Sequence, residues 1–198
     1  MVILEDDSIW SLYGVAGAGG STIVQGFFTG NGSSNNGTYT ATGRDYVYTG
    51  QVINGALNST YSPGVSITGT GTSASFSATM ANVTGYNYNT PALLSSIVGT
   101  WSGSSLTGGT ASLVITSTGA YTARDGACAI SGTITPRPSG KNLFNVTFSS
   151  GVIGCAITNL SGQGIGIVST LSNGNTQLII AATTADKSAG TVAFVIKL

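Results

Sequence analysis

Apolar and polar residues alternate along most of this 198-residue chain, in short runs that glycine and asparagine interrupt. In the first long run, Ile9, Ser11 and Tyr13 would lie on one face, and Trp10 and Leu12 on the other. Alternation with a period of two is the pattern of a β-strand that buries one face. We therefore predict an all-β, antiparallel protein.

Turn signals divide residues 1–85 into short strands. A polar, acidic segment at 5–8 and a longer polar segment at 30–37 (GNGSSNNG) predict loops. The step from Asn54 to Gly55 predicts a hairpin turn. About seven or eight strands at this spacing are typical of a sandwich or barrel. Residues 1–85 are therefore expected to form an N-terminal antiparallel β domain.

Residues 86–103 (YNYNTPALLSSIVGTWSG) contain the clearest signal for a short helix. Thr90 is suited to cap such a helix and Pro91 to occupy its first position. Further strands follow to the C-terminus, one of them over residues 151–157. These strands predict a second antiparallel domain, barrel-like or sandwich-like, and the helical segment would be the linker between the two.

Charge is scarce: 6% of residues are charged, and the formal net charge is zero. Nucleic-acid binding needs clustered Lys and Arg, and no cluster is present. No apolar stretch reaches the roughly 18 residues of a membrane-spanning helix. We exclude nucleic acid as a partner and expect no transmembrane segment. The scattered basic residues are Arg44, Arg124, Arg137, Lys141, Lys187 and Lys197.

Ser, Thr, Asn and Gly supply the polarity that Lys and Glu usually provide, which favours an extracytoplasmic protein in the periplasm, on the outer membrane or secreted. The N-terminus MVILEDDSIW has no basic segment, so the export signal is expected to be absent from this chain. The first strand starts without a lead-in, which indicates missing upstream strands. An incomplete sheet leaves an open edge, so we expect strand pairing or a homodimer through residues 2–15.

The two cysteines are Cys128 and Cys155. In an oxidising compartment they would form a disulfide, which stabilises by roughly 3–4 kcal/mol in the loop-entropy model. The alternative is two buried free thiols in a cytosolic protein. Their spacing is too wide for a CxxC redox or zinc pair.

The chain has no histidine, which excludes Ser-His-Asp and Cys-His catalysis in their usual form. The one cluster of carboxylates is Glu5, Asp6 and Asp7, and we expect a solvated turn there in preference to a calcium site.

Asp45 and Asp125 each follow an arginine, Arg44 and Arg124. A glycosidase would need two opposed carboxylates roughly 5–10 Å apart. We instead expect surface turns with local ion pairs, each worth under about 1 kcal/mol. We predict no catalytic residue, no cofactor and no metal site, and hence no enzyme.

A set of tyrosines is the candidate binding surface. Tyrosine among Ser, Asn and Gly is typical of adaptable binding surfaces and could stack on sugars. The alternative is ordinary packing within strands and linker. The set comprises Tyr39, Tyr46, Tyr48, Tyr86 and Tyr88.

Gly99, Thr100 and Trp101 follow the helical segment and begin the second train of strands. A short helix followed by Gly-x-Trp resembles the entrance of calycin (lipocalin-like) barrels. The resemblance implies an eight-stranded barrel over residues 86–198, with Trp101 as a plug at its closed end.

Longer stretches resemble a family of small, uncharacterised envelope lipoproteins of proteobacteria. They are VILEDDSIWSLYG, NYNTPALLSSIVGTWSG, CAISGTITPRPSGKNLFNVTF and the closing segments GIGIV, TQLIIAA and GTVAFV. In such proteins a signal peptide, a lipidated cysteine and the first strands precede the equivalent of Val2. This resemblance implies a β fold and a place in the cell envelope.

The leading hypothesis is a non-catalytic envelope or secreted protein that binds an unknown protein or a surface glycan. The alternative is a carrier for a small apolar ligand inside the second barrel. An apolar cavity above roughly 300 Å³ would favour the carrier. A filled interior would favour the binding module, and the residues expected to fill it are Trp101, Leu113, Ile115, Ile130, Phe144 and Phe194.

Overall fold

The computed structural model describes residues 1–16, 22–72, 75–79, 86–155 and 158–198. Its strands and single turn of helix confirm the prediction of an all-β antiparallel protein. The chain divides into two compact units, Met1–Ala81 and Asn82–Leu198.

The first unit contains one seven-stranded antiparallel sheet, in which each strand pairs with the next along the chain. Its first and last described strands lie at opposite edges, so the sheet is open in the part of the chain that the structure describes. The strands are β1 (Val2–Ile3), β2 (Ser8–Ala16), β3 (Thr22–Asn35), β4 (Thr38–Val47), β5 (Val52–Ser62), β6 (Ser66–Gly71) and β7 (Ser75–Thr79).

The loop predicted for residues 30–37 is wrong. Strand β3 continues to Asn35, and only Asn36 and Gly37, both with positive φ, form the turn into β4. Glycine is needed within the strand because a Cβ at Gly32 would overlap the Tyr39 hydroxyl. Gly32 therefore makes room for an aromatic ring within the strand instead of marking a loop.

The hairpin turn predicted at Asn54 and Gly55 is also wrong, because both residues lie inside β5 opposite Arg44 and Gly43. The Asn54 side chain accepts a hydrogen bond from Arg44. A Cβ at Gly55 would lie 2.7 Å from the Phe28 ring. Contacts with neighbouring strands therefore explain why Asn54 and Gly55, a pair that usually indicates a turn, lie within a strand.

Alternate residues of these strands form the core of the first unit. Tyr39 and Ala41 of β4 are buried, as the period of two requires. On the opposite face of the sheet, Phe27 stacks on Tyr46 with ring centroids 4.5 Å apart. The main cluster consists of Ile9, Phe28, Tyr39, Ala41 and Leu57, with Ile3, Tyr61 and Phe76 packed against it.

The second unit is a closed antiparallel barrel of eight strands, so of the predicted barrel-like and sandwich-like forms the barrel is the one observed. Its last strand pairs with its first, and this pairing closes the barrel. The elements are α1 (Leu94–Ile97), β8 (Gly99–Ser105), β9 (Thr110–Ile115), β10 (Ala120–Asp125), β11 (Cys128–Pro136), β12 (Phe144–Ser150), β13 (Ser161–Thr170), β14 (Thr176–Thr184) and β15 (Gly190–Lys197).

The short helix lies within the second unit and packs in the barrel core. It begins at Leu94 after an N-cap at Leu93 that makes no side-chain hydrogen bond, so the predicted cap at Thr90 is wrong. Thr90 Oγ1 instead donates to the carbonyl of Asn87 at 2.9 Å. Ile97 is fully buried in the barrel core.

The strand predicted for residues 151–157 is wrong in its described part. β12 ends at Ser150 and β13 begins at Ser161, and residues 151–155 form an irregular loop. Residues 156–157 lie outside the described residues. The disulfide between Cys128 and Cys155 is confirmed, and it ties this loop to the start of β11.

Candidate functional site

The tyrosine set does not form one surface. Tyr39 and Tyr46 are buried in the first unit, which corrects their assignment to a binding surface. The Tyr39 hydroxyl donates to the carbonyl of Asp7 at 2.8 Å. Burial, together with the charges of Asp7 and Asp6, raises the pKa of Tyr39 to about 12.

The remaining tyrosines are divided between the two units. Tyr48 is 50% exposed in the first unit. In the second, Tyr86 donates to the carbonyl of Asn142 at 2.8 Å, and burial raises its pKa to about 12. The Lys141 ammonium lies 5.2 Å from the centroid of the Tyr88 ring. Tyr86 and Tyr88 therefore hold the segment before α1 against the loop after β11.

The acidic turn at 5–8 is held by hydrogen bonds. Asp7 accepts from the Ser34 hydroxyl at 2.6 Å, and Asp6 accepts from the Ser8 hydroxyl at 2.6 Å. Within the described part of the chain, no group of three or more His, Cys, Asp or Glu is placed to hold a metal ion. These contacts fit the interpretation of this turn as structural.

The local ion pair expected at Asp45 does not form. Its carboxylate accepts a 2.6 Å hydrogen bond from Tyr13, while Arg44 binds Asn54. Burial raises the pKa of Asp45, and the hydrogen bond from Tyr13 partly opposes this shift. Arg44 and Asp45 point to opposite faces because they are consecutive strand residues.

Trp101 lies fully buried in the barrel core. Its indole N–H donates to the carbonyl of Ile97 at 2.8 Å. The Lys197 ammonium lies 5.4 Å from the Trp101 ring centroid and donates to the carbonyl of Ser96 at 3.2 Å. Helix α1, Trp101 and the last strand thus close this end of the barrel together.

Large apolar side chains fill the barrel next to Trp101. Ile130 is partly buried against this cluster. Phe194 was expected inside, but the register places its neighbour Val195 in the core, so Phe194 points outward. The buried cluster includes Leu113, Ile115, Tyr121, Ile134, Phe144, Val146 and Leu178.

A surface that the sequence pattern did not predict lies at the opposite end of the barrel strands. We call residues 151–155 the mouth loop. The disulfide anchors its end, and the Gly151 N–H donates to the carbonyl of Ala129 at 2.9 Å. Between these anchors Val152 and Ile153 are 64% and 85% exposed. The mouth loop therefore holds two branched apolar side chains in solvent.

Next to the mouth loop lies an outer concavity of about 520 Å³ on strands β9–β12. Gly151 and Ala129 belong to its lining, so the concavity and the loop are continuous. Its exposed side chains point outward because they alternate with core residues. They are Ser112, Val114, Thr122, Arg124, Ala129, Ser131 and Ser149.

Among the described residues that line the outer concavity, Arg124 is the one that carries a charge. Its guanidinium is exposed and has no hydrogen bond or ion pair with any residue that the structure describes. The ion pair expected with Asp125 is absent because consecutive strand residues point to opposite faces. Period-two alternation could have separated these two side chains, but which face lies outside follows only from barrel closure.

No helix among the described residues is long and apolar enough to cross a membrane. Comparison of the chain with protein-family models, curated proteins and solved structures finds no match.

Proposed function

We propose that this protein is a non-catalytic binding module that holds a macromolecular partner on the mouth loop and the outer concavity. The observation that carries the proposal is the exposure of Ile153, which the disulfide and the Gly151 hydrogen bond maintain. Burying such a side chain contributes roughly 1.5–3 kcal/mol. A rim of hydroxyl groups and an arginine beside it match the composition of protein interfaces.

The packing of the barrel supports binding on its outside in preference to carriage of a ligand inside. Trp101, Ile115 and Phe144 are buried in one continuous apolar cluster. A carrier needs this volume for its ligand. The absence of histidine supports a non-catalytic role, because histidine is the commonest general base.

An extracytoplasmic location, in the envelope or secreted, is part of the proposal. The disulfide supports it, since such bonds persist mainly in oxidising compartments. The low content of Lys and Glu points the same way. A relationship to small envelope lipoproteins with calycin-like barrels is likewise proposed, on the sequence resemblance alone.

A photocross-linking amino acid at position 153 tests the binding face in the native host. Leu93 is the matched control, because it is also exposed, at 64%, and belongs to the same unit. We expect a discrete adduct from position 153 and none from position 93. Adduct yield should fall several-fold when Cys128 and Cys155 are both replaced by Ser. Equal adducts from both positions would refute the proposed face.

A homodimer through residues 2–15 stays a separate prediction. β1 pairs only with Ile9 and Trp10 of β2. Beyond Trp10, the described part of the chain supplies no strand on that side of β2. An edge of this kind can accept another strand. Light scattering should then give twice the monomer mass, and a monomer at high protein concentration would exclude the dimer.

A further inference from the structure

The charge of the outer concavity is unbalanced. Arg124 is the one ionisable residue in its lining, and no described residue neutralises it. Asp125 points to the other face of β10. A guanidinium presents a planar fork of donors that matches a carboxylate with two parallel hydrogen bonds. This place is therefore complementary to a carboxylate.

The other lining residues favour a protein ligand over a glycan. The ring faces of sugars pack on aromatic side chains, and none of the described residues that line the concavity is aromatic. Ser112, Thr122 and Ser131 provide hydroxyl groups that can donate and accept. Such groups suit the backbone and polar side chains of a partner protein.

The mouth loop supplies the apolar part of the same face. Gly154 has φ +74°, and a Cβ there would overlap the Ala127 carbonyl, so the loop packs closely on the β10–β11 turn. This packing and the disulfide restrain the backbone next to Ile153, and a restrained segment loses less conformational entropy on binding. Interfaces combine apolar anchors of this kind with arginine and a polar rim.

We propose that the partner is a protein that places an Asp or Glu carboxylate on Arg124 and an apolar socket over Ile153. This inference rests on the proposed function of the mouth loop and outer concavity as a binding face. It adds the chemical class of the partner and the residue that recognises its charge.

Selection of peptides from a phage-displayed library of random sequence, with the oxidised full chain as target, tests the inference without knowledge of the partner. The wild type should select peptides enriched in Asp or Glu near a large apolar residue. Arg124→Glu should reverse the charge preference to Lys and Arg. An acidic peptide selected on the wild type should bind Arg124→Gln about 10-fold or more weakly, and high salt should weaken its binding to the wild type.

Arg137→Glu is the matched control, because Arg137 lies at the opposite end of the barrel strands and hydrogen-bonds to Asn145. This variant should still select acidic peptides. Ile153→Ser should keep the acidic preference and lose the apolar one. Circular dichroism and the fluorescence of buried Trp101 establish that each variant is folded.

The outcomes separate this inference from the proposed function. Selected peptides that lose binding to Ile153→Ser but ignore the charge at position 124 would overturn the inference and leave the binding face intact. Peptides that bind Ile153→Ser and Arg124→Glu as tightly as the wild type would overturn both. Binding of neutral polysaccharides on a glycan array, lost in Arg124→Gln, would replace the protein partner with a glycan.

Discussion

The sheet of the first unit and the barrel of the second share the same antiparallel pairing of neighbouring strands, but only the second closes among the residues that the structure describes. In both, each strand pairs antiparallel with its neighbour in sequence. The barrel adds one pairing, between β15 and β8, and this encloses a core around Trp101. The sheet keeps β1 and β7 at its edges. Closure therefore provides a continuous interior, whereas the open sheet depends on individual aromatic contacts.

Both units also contain a tyrosine that packs against a glycine in a neighbouring strand. In the sheet Tyr39 lies against Gly32, and in the barrel a Cβ at Gly132 would lie 2.9 Å from the Tyr121 ring. Each hydroxyl donates to a backbone carbonyl, Tyr39 at 2.8 Å and Tyr121 at 2.9 Å. The aromatic ring covers backbone that the glycine leaves bare.

The largest difference between the units should follow Trp101→Ala. The cavity left in the barrel core is expected to lower its free energy of unfolding by about 3–5 kcal/mol. Hydrogen exchange should show lost protection in β8–β15 and little change in β2–β5. Phe28→Ala in the sheet core is the matched variant and should give the reverse pattern. Equal loss in both units after either substitution would show that the two cores unfold together.

Removal of the disulfide should also act on the barrel alone. Both cysteines belong to the second unit, and the bond joins residues 27 apart in sequence. Replacing Cys128 and Cys155 by Ser should lower the free energy of unfolding of the barrel by roughly 3–4 kcal/mol. Urea unfolding, followed by exchange in each unit, measures this loss. An unchanged barrel with a less stable sheet would contradict the assignment.

Alkaline pH should destabilise both units, because each unit contains a buried tyrosine with a raised pKa. Burial raises the pKa of Tyr39 and Tyr121 from 10.0 to about 12. The folded state therefore keeps protons that the unfolded state loses, and stability should fall as pH rises from about 10 through 12. Tyr121→Phe should reduce this pH dependence in the barrel, and Tyr39→Phe should reduce it in the sheet. At pH 7 each variant should lose about 0.5–1.5 kcal/mol with its hydrogen bond.

The smallest expected effect is at the turn between β14 and β15. Asp186 accepts hydrogen bonds from Thr184 and Ser188, which lower its pKa from 3.8 to about 2. The contribution of this carboxylate is present above pH 3.8 and is lost as pH falls through about 2. Asp186→Asn should slightly reduce the loss of the barrel's free energy of unfolding at acidic pH and leave the stability of the sheet unchanged. NMR titration of Asp186 checks the shift directly.

Local pattern was sufficient for some features of the candidate site and insufficient for others. The disulfide was predicted because a pair of cysteines in a β protein of this composition has few other roles. The mouth loop was missed because Gly151, Val152 and Ile153 have the apolar character of a strand. Its exposure depends on the covalent bond to Cys128, which no local pattern contains.

The tyrosines also show that local sequence pattern does not determine which side chains are buried. Tyr39 and Tyr46 have the composition of a binding surface around them, yet they are buried because facing strands bring Gly32 and Phe27 against their rings. Tyr48, two residues after Tyr46, is half exposed in the turn that follows β4. Position in the sequence does not determine which tyrosine is buried, because the residues that cover its ring belong to other strands.

The amino-acid sequence by itself determined the antiparallel β class and the scarcity of charge, since these follow from a period of two and from composition, and it offered the disulfide between Cys128 and Cys155 as one of two alternatives. Only the tertiary structure decided which glycines lie under aromatic rings and that Arg124 faces outward on the barrel. The physical reason is that hydrogen bonds between strands, and the burial they cause, depend on residues far apart in the chain.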